Sequence, residues 1–177
     1  SHAIPASAVD TVTLHDLTWL EVQTLLSAGY RTAIIPTGGV EQNGEHLILG
    51  KHNPIVSYAA KEIALELGHT LVAPTISYVP EGNMEVLDGH MLFPGTLSVK
   101  TETFEAVLHD SAMSLAAHGF TLICFLGDSG DNQASQEKVA RRLSLDLADK
   151  GIRVVNVRDY YYNNGQREWL NSVGFGD

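Results

Sequence analysis

Short apolar runs along the chain alternate with longer stretches in which apolar residues recur at helical spacing. The short runs are typical of buried strands followed by turn or polar residues, and they span 31–37, 70–79, 121–126 and 152–157. The longer stretches predict amphipathic helices at 18–28, 53–67, 101–118 and 133–150. Strands that alternate with helices in this way predict a mainly parallel sheet with helices on both faces, which is a three-layer α/β/α fold.

Local signals refine three of these elements. Thr18 and Glu21 have the spacing of a capping box at the start of the first helix. Asn53 followed by Pro54 predicts an N-cap and a first turn for the second helix. Pro74 lies inside the second predicted strand and indicates an edge strand, a bulge or an early end. Residues 158–177 show no clear period, so no element is predicted there.

Polar residues gather in the loops that follow the first three predicted strands. In a parallel sheet these loops open at one edge, where ligands bind. The second loop, 80–96, is long for a compact domain and is a functional candidate for that reason. Histidine and carboxylate side chains that meet at this edge would suit a divalent metal ion such as Zn or Mn. Those side chains are Glu41, Glu45, His46 and His52 in the first loop, Glu81, Glu85, Asp88 and His90 in the second, and Asp128 and Asp131 in the third.

Composition excludes several classes of protein. The chain has 177 residues, of which 44% are hydrophobic and 18% are charged, so we expect a single globular domain spanning 1–177. A net charge of −10 with only 11 Lys and Arg residues provides no basic surface for nucleic acid. No apolar stretch reaches the roughly 18 residues of a membrane span. We therefore expect a soluble protein with no nucleic-acid or membrane partner, in the cytoplasm, in the periplasm or secreted.

The three loops carry motifs that resemble those of the creatininase family of metal-dependent amidohydrolases. The first is Pro-Thr-Gly-Gly-Val-Glu-Gln-Asn-Gly-Glu-His-Leu at 36–47, similar to the family's Pro-x-Gly strand end followed by Glu-Gln-His-Gly-x-His-Leu. The second is a His three residues before Phe-Pro-Gly-Thr, at 90–96, and the third is Gly-Asp-Ser-Gly-Asp-Asn at 127–132. Their order and spacing agree with the family over about residues 15–160. The resemblance implies the creatininase α/β/α fold and a metal site at the carboxyl edge of the sheet.

The positions of the family's metal ligands imply that this site is altered. The family's two-metal site takes Glu, His and a bridging Asp from the first loop and His and Glu from the third. In this chain Glu41 keeps the Glu position. Asn43 and Ser129 stand in place of the two family His residues, and His52 stands in place of the bridging Asp. The resemblance therefore implies one divalent ion rather than two.

The remaining polar residues complete the predicted site. The ion is expected to be bound by Glu41 and His52, with Asp131 or His46 as a third ligand and an open position for water. His90 is expected to be a ligand, a proton shuttle or a packed loop residue. Catalytic roles are predicted for His90, Ser129 and Asp128, and substrate contacts for Asn43, Glu45 and Asn132.

The resemblance implies a hydrolase that opens a cyclic amide, or a related lactone, with a metal-activated water. Such an enzyme acts on C–N bonds other than peptide bonds and takes a small-molecule substrate. The family's closing segment, with a His-Ala-Gly and a Glu-Thr-Ser signature, has no counterpart between Tyr160 and Asp177. We therefore expect a domain that lacks the C-terminal part of the family fold. A homo-oligomer is also expected, or a second chain that supplies the segment.

The sequence is compatible with two other functions. Gly-Asp-Ser after a buried strand is also typical of the nucleophile block of some serine hydrolases, so Ser129 with His46 or His52 as base is one alternative. The other alternative is a catalytically degenerate family member that binds a ligand without turnover, because three ligand positions are altered. The polar character of the three replacements argues for a site with changed chemistry over one that is filled in.

Overall fold

Four parallel strands form the sheet at the centre of the protein. The computed structural model describes residues 5–175, so residues 1–4 and 176–177 of the predicted domain lie outside the described range. The strands lie in the order β2-β1-β3-β4, with bounds β1 Thr32–Thr37, β2 Thr70–Val72, β3 Leu122–Gly127 and β4 Arg153–Asn156. All three pairings are parallel. The predicted α/β fold with a parallel sheet is confirmed.

Helices cover both faces of this sheet. Their bounds are α1 Trp19–Ser27, α2 His52–Leu67, α3 Thr101–Ala117, α4 Gly130–Asp146, α5 Arg158–Tyr162 and α6 Gln166–Ser172. The chain runs from β1 through α2 to β2 on one side, and from β3 through α4 to β4 on the other. Because parallel crossovers are right-handed, α2 covers one face, and α3 and α4 pack together on the opposite face.

The core lies between the sheet and the apolar faces of these helices. Side chains at helical spacing are buried on each of the three long helices, as the sequence predicts: Val56, Ala60 and Ala64 on α2, Phe104, Leu108 and Leu115 on α3, and Val139 and Leu143 on α4. They pack against strand residues such as Ile35 and Phe125, each 1% exposed or less. Burying one such large apolar side chain stabilises the fold by about 1.5–3 kcal/mol.

The predicted start of α1 is confirmed, and that of α2 is wrong. Thr18 N donates to the Glu21 carboxylate at 2.7 Å, and Glu21 N donates to Thr18 Oγ1, which is the capping box. α2 begins at His52, so Asn53 lies inside the helix and is not its N-cap. The Asn53 side chain instead accepts from Gly39 N and donates to Gly39 O, both at 3.1 Å, because the end of β1 passes close to it.

The second strand and the C-terminal residues differ from their sequence-based description. β2 ends at Val72, and after Pro74 the chain rejoins β1 where Ile76 N donates to Pro36 O at 2.9 Å. β2 is an edge strand of the sheet, and Pro74 lies just beyond its early end, as a proline within the predicted strand indicates. The C-terminal residues form α5 and α6, which are too short to show a period. None of the helices between residues 5 and 175 is both long and apolar enough to cross a membrane.

Candidate functional site

The polar loops meet where the connections of two neighbouring strands diverge. β1 and β3 are paired along six residues, yet the chain leaves β1 toward β2 and leaves β3 toward β4. Such a reversal opens a crevice at the carboxyl ends of the strands, where α/β proteins bind ligands. The loop after β1 brings Glu41 to this crevice, α2 begins there with His52, and Asp128 follows directly after β3. The predicted edge of the sheet therefore carries a cluster of ionisable side chains.

His52 is held between two carboxylates at the first turn of α2. Its Nδ1 lies 2.8 Å from Asp128 Oδ2, and its Nε2 lies 2.7 Å from Glu41 Oε1. Burial alone would lower the pKa of His52, but the hydrogen bonds to Asp128 and Glu41 outweigh it and raise the pKa to about 9. Tyr160 donates its hydroxyl to the other oxygen of Asp128 at 2.9 Å. A chain of hydrogen bonds thus runs from Tyr160 through Asp128 and His52 to Glu41.

Glu41 is buried, and its carboxylate lies between two histidines. One oxygen contacts His52, and the other, Oε2, lies 3.2 Å from His90 Nε2. Burial would raise the pKa of Glu41, but the hydrogen bond with His52 and the nearby His90 hold that pKa well below its ordinary range. The side-chain amide nitrogen of Gln42 lies 3.1 Å from His90 Nδ1, so His90 presents Nε2 to Glu41.

Glu81 lies beside this pair from the loop after β2. It is 2% exposed, and neither of its carboxyl oxygens has a hydrogen-bond partner among residues 5–175. Burial and the neighbouring Glu41 carboxylate raise the pKa of Glu81 strongly, and the Asp131 charge adds to this. One ligand atom from each of Glu41, Glu81 and His90 lies within 4.8 Å of the other two. Two buried carboxyl groups and an imidazole therefore converge on one point.

A buried polar network fixes the start of α4 against the end of β1. The Thr37 hydroxyl donates to Gln136 Oε1, and Asn132 Nδ2 donates to Thr37 Oγ1 at 3.0 Å and to Gly38 O at 2.8 Å. Gln136 Nε2 donates to Asn156 Oδ1 on β4 at 2.7 Å. The network joins β1, α4 and β4, so it also fixes the turn that carries Asp128.

The structure brings only some of the predicted site residues together. Glu41, His52, His90 and Asp128 form the contacts described above. Asp131 is exposed but is close enough to affect Glu81. Residues whose side chains make no hydrogen bond or ion pair to the ionisable side chains of this group within residues 5–175 are Asn43, Glu45, His46, Ser129 and Asn132.

Two of the predicted substrate contacts have structural partners instead. Asn43 donates its amide to the carbonyls of Glu41 and Ile48, at 2.9 and 3.2 Å, and so closes its own loop. Asn132 is fully buried in the network with Thr37. Glu45 is exposed on the loop surface.

The geometry around Ser129 bears on the serine alternative. Ser129 is 6% exposed at the N-cap of α4, and its hydroxyl makes no hydrogen bond to a histidine within the described range. Both ring nitrogens of His52 already face carboxylates, and His46 is exposed. A serine nucleophile needs a base within hydrogen-bond reach. The arrangement therefore favours chemistry centred on Glu41 over chemistry centred on Ser129.

The sequence assigns no specific role to three residues of the cluster. Glu81 is one of ten His and carboxylate candidates in the three loops, and the predicted ligand set leaves it out. Tyr160 lies in the stretch without a period, and Gln42 was read only as part of a motif. The contacts that give them these roles join residues far apart in the sequence. Tyr160 and Asp128 are 32 positions apart, and Gln42 and His90 are 48 positions apart. Glu81 and Glu41 are 40 positions apart.

Fold and cluster together define an α/β protein with a buried carboxylate and imidazole site at the switch point of its sheet. The family model described as creatininase, creatinine amidohydrolase, matches residues 15–173. The chain therefore belongs to the creatininase family, as its loop motifs predict.

Individual relatives agree with this assignment. The creatinine amidohydrolase of Pseudomonas putida is 25% identical over 150 residues, which are 85% of this chain and 55% of the relative. A mycofactocin precursor peptide peptidase of Mycolicibacterium smegmatis is 28% identical over 140 residues, 76% of this chain and 54% of the relative. A mutant creatininase of Zn-Zn type superimposes with a TM-score of 0.73 and 25% identity, covering 88% of this chain and 60% of that one. The chain spans about half the length of the curated relatives it matches.

Proposed function

We propose that this chain forms the site of a hydrolase that cleaves the C–N bond of a cyclic amide, or the ester C–O bond of a related lactone, with the help of one bound divalent metal ion. The observation that carries the proposal is Glu41, which keeps the family's Glu position and lies buried at the switch point between two histidines. The substrate class that we propose is a cyclic amide or a related lactone. Membership of the creatininase family supports the reaction class.

The residues present fit a metal ion. Both oxygens of the buried Glu81 lack a hydrogen-bond partner within the described chain, and they face a second carboxylate, Glu41. A buried carboxyl group without a partner is costly, and two together repel each other, so a cation would relieve both effects. Carboxylate oxygens and imidazole nitrogens are the ligands that Zn and Mn accept.

The roles of the chain's own residues follow from their contacts. Glu41 would hold the ion, and a bound Zn or Mn ion would supply an activated water and polarise the substrate carbonyl. His52 orients the Glu41 carboxylate through the 2.7 Å contact. Asp128 holds the His52 ring in place, and Tyr160 holds Asp128. Partners of this kind keep a ligand in one orientation and strengthen metal binding.

The contacts of the residues at the altered family positions support a site for one metal ion over a site for two. Both nitrogens of His52 are engaged by carboxylates, so it offers no free lone pair in this arrangement. The Asn43 side chain faces backbone carbonyls of its own loop. The contacts thus favour His52 as a residue that orients Glu41 over its predicted role as a ligand.

The test is turnover by the full chain after its metal has been removed and then restored. A panel of lactams, lactones and linear peptides is assayed with Zn and with Mn, and peptides are included because one relative is named as a peptide peptidase. We expect turnover of a cyclic substrate that depends on the ion and is lost in Glu41→Gln. Turnover of peptides alone would overturn the substrate class. No turnover with any substrate would overturn the hydrolase and favour the ligand-binding alternative.

A further inference from the structure

We infer that the loop after β2 supplies the ion's other protein ligands, so that Glu41, Glu81 and His90 bind the metal in place of the family's third-loop residues. This inference rests on the proposed function, since it names the ligands of the same site. It differs from the sequence-based ligand set of Glu41 and His52 with Asp131 or His46. The site would therefore have moved from the first and third loops to the first and second.

The strongest support comes from the unpartnered carboxyl group of Glu81. Buried polar groups in folded proteins almost always have a hydrogen-bond partner, so an exception calls for a physical reason. Glu81 is 2% exposed and both of its oxygens lack a partner within residues 5–175, while Glu41 beside it is 6% exposed. A ligand atom of His90 lies within 4.8 Å of both carboxyl groups. A shared cation accounts for this arrangement.

The backbone around Glu81 is built to bring its carboxyl group close to β1. Glu81 N donates to Ser98 Oγ at 2.9 Å, and Ser98 Oγ donates to Gly82 O at 2.8 Å. A Cβ atom on Gly39 would overlap Glu81 Oε1, so the side chain approaches the strand end only because residue 39 is glycine. The Glu81 backbone is thus held in place, and the glycine at residue 39 leaves room for its carboxyl group beside the strand end.

His90 is held by contacts between the first and second loops. Gln42 contacts its Nδ1, and Gln42 N donates to Thr96 Oγ1 at 3.2 Å. Val40 and Leu97 form an antiparallel bridge between the same loops. His90 Nε2 therefore faces Glu41. To bind an ion through Nε2, the ring would carry its proton on Nδ1, and the Gln42 amide would turn so that its oxygen accepts that proton.

The rival ligands lack comparable positions. Asp131 and His46 are exposed, whereas Glu41 and Glu81 are buried. Ser129 replaces a family His and offers only a hydroxyl. Three protein ligands, two carboxylates and one imidazole, leave a coordination position for water, which is typical of catalytic zinc sites.

The experiment is a calorimetric titration of Zn into the metal-free full chain. The absorption spectrum of bound Co provides a second measurement. We expect one ion per chain. Glu81→Gln and His90→Gln should each weaken binding by more than about 100-fold, because loss of an outer contact weakens it by only about 10- to 100-fold. Glu85→Gln, an exposed residue of the same loop, is the matched control and should bind like the unaltered chain. His90 is partly exposed, so its variant tests the inference even if Glu81→Gln fails to fold.

The outcomes separate this inference from the proposed function. Weaker binding in Asp131→Asn or His46→Gln, with Glu81→Gln and His90→Gln unaffected, would overturn the ligand set and leave a metal-dependent hydrolase in place. The expected loss of binding without turnover of any substrate would support the ligand set and overturn the hydrolase. An unaltered chain that binds no Zn or Co would overturn both.

Discussion

Replacing Asp128 with Asn tests the chain of hydrogen bonds around His52. Asn has nearly the same shape as Asp and keeps an oxygen that can accept from Tyr160. It removes the negative charge that lies 2.8 Å from His52 Nδ1. The protonated ring should therefore lose one of its two carboxylate partners while the surrounding packing is kept.

The size of the effect follows from the pKa of His52, which rises from 6.5 in the unfolded chain to about 9 in the fold. A raised pKa stabilises the fold fully below the unfolded value, and the contribution is lost as pH rises through the folded value. The difference between the folded and unfolded pKa values of His52 corresponds to roughly 3 kcal/mol of stability, since one pKa unit corresponds to about 1.4 kcal/mol. Because the ring has two carboxylate partners, about 1–2 kcal/mol should depend on Asp128, and Asp128→Asn should lower the pKa of His52 by about 1.

Two measurements on the metal-free protein check this. NMR follows the His52 ring protons through a pH titration, with His52→Gln identifying the signal. Urea unfolding gives the free energy of unfolding at about pH 6 and about pH 9.5. Between these two pH values the protein loses most of the stability that protonated His52 contributes. We expect Asp128→Asn to be less stable at the lower pH and the difference to narrow at the higher pH.

An exposed pair provides the control. His109 Nδ1 lies 2.9 Å from Asp110 Oδ1, but the two side chains are 49% and 82% exposed, so Asp110→Asn should change stability by less than about 0.5 kcal/mol. The reasoning is refuted if the pKa of His52 is unchanged in Asp128→Asn, or if the loss of stability is the same at both pH values.

Three further predictions concern the surroundings of the site. Tyr160→Phe should weaken Zn binding about 10-fold in a calorimetric titration, because Asp128 loses the donor that orients it, whereas the exposed Tyr162→Phe should bind normally. Gly39→Ala should lower the thermal midpoint of unfolding, because the new Cβ would overlap Glu81 Oε1. Adding Glu81→Ala should restore part of this loss, since it removes the overlapping carboxyl group. An unchanged midpoint in Gly39→Ala would contradict the close approach of Glu81 to residue 39. Thr37→Val should lower the free energy of unfolding in urea by about 2 kcal/mol or more, because it leaves buried groups of Gln136 and Asn132 unpaired, while the exposed Thr121→Val should have little effect.

Local patterns predict the fold well in this chain, and their failures have physical causes. The capping box at Thr18 depends on residues three apart, and it is confirmed. The Asn53 N-cap is a local signal of the same kind, yet the Asn53 side chain binds Gly39 on a different element. α5 and α6 were missed because helices of five and seven residues are too short for a period to be read.

The sequence by itself determined the alternation of strands and helices, the edge of the sheet where the loops open, and the place of Glu41 in a family motif. These features rest on periodicity and on spacing between near neighbours, which a single chain displays. The tertiary structure alone decided that Glu81 lies beside Glu41, that His52 lies between two carboxylates, and that Tyr160 supports Asp128. Contacts of this kind join residues that follow different strands. They depend on strand order and, for Glu81, on the close approach that Gly39 allows.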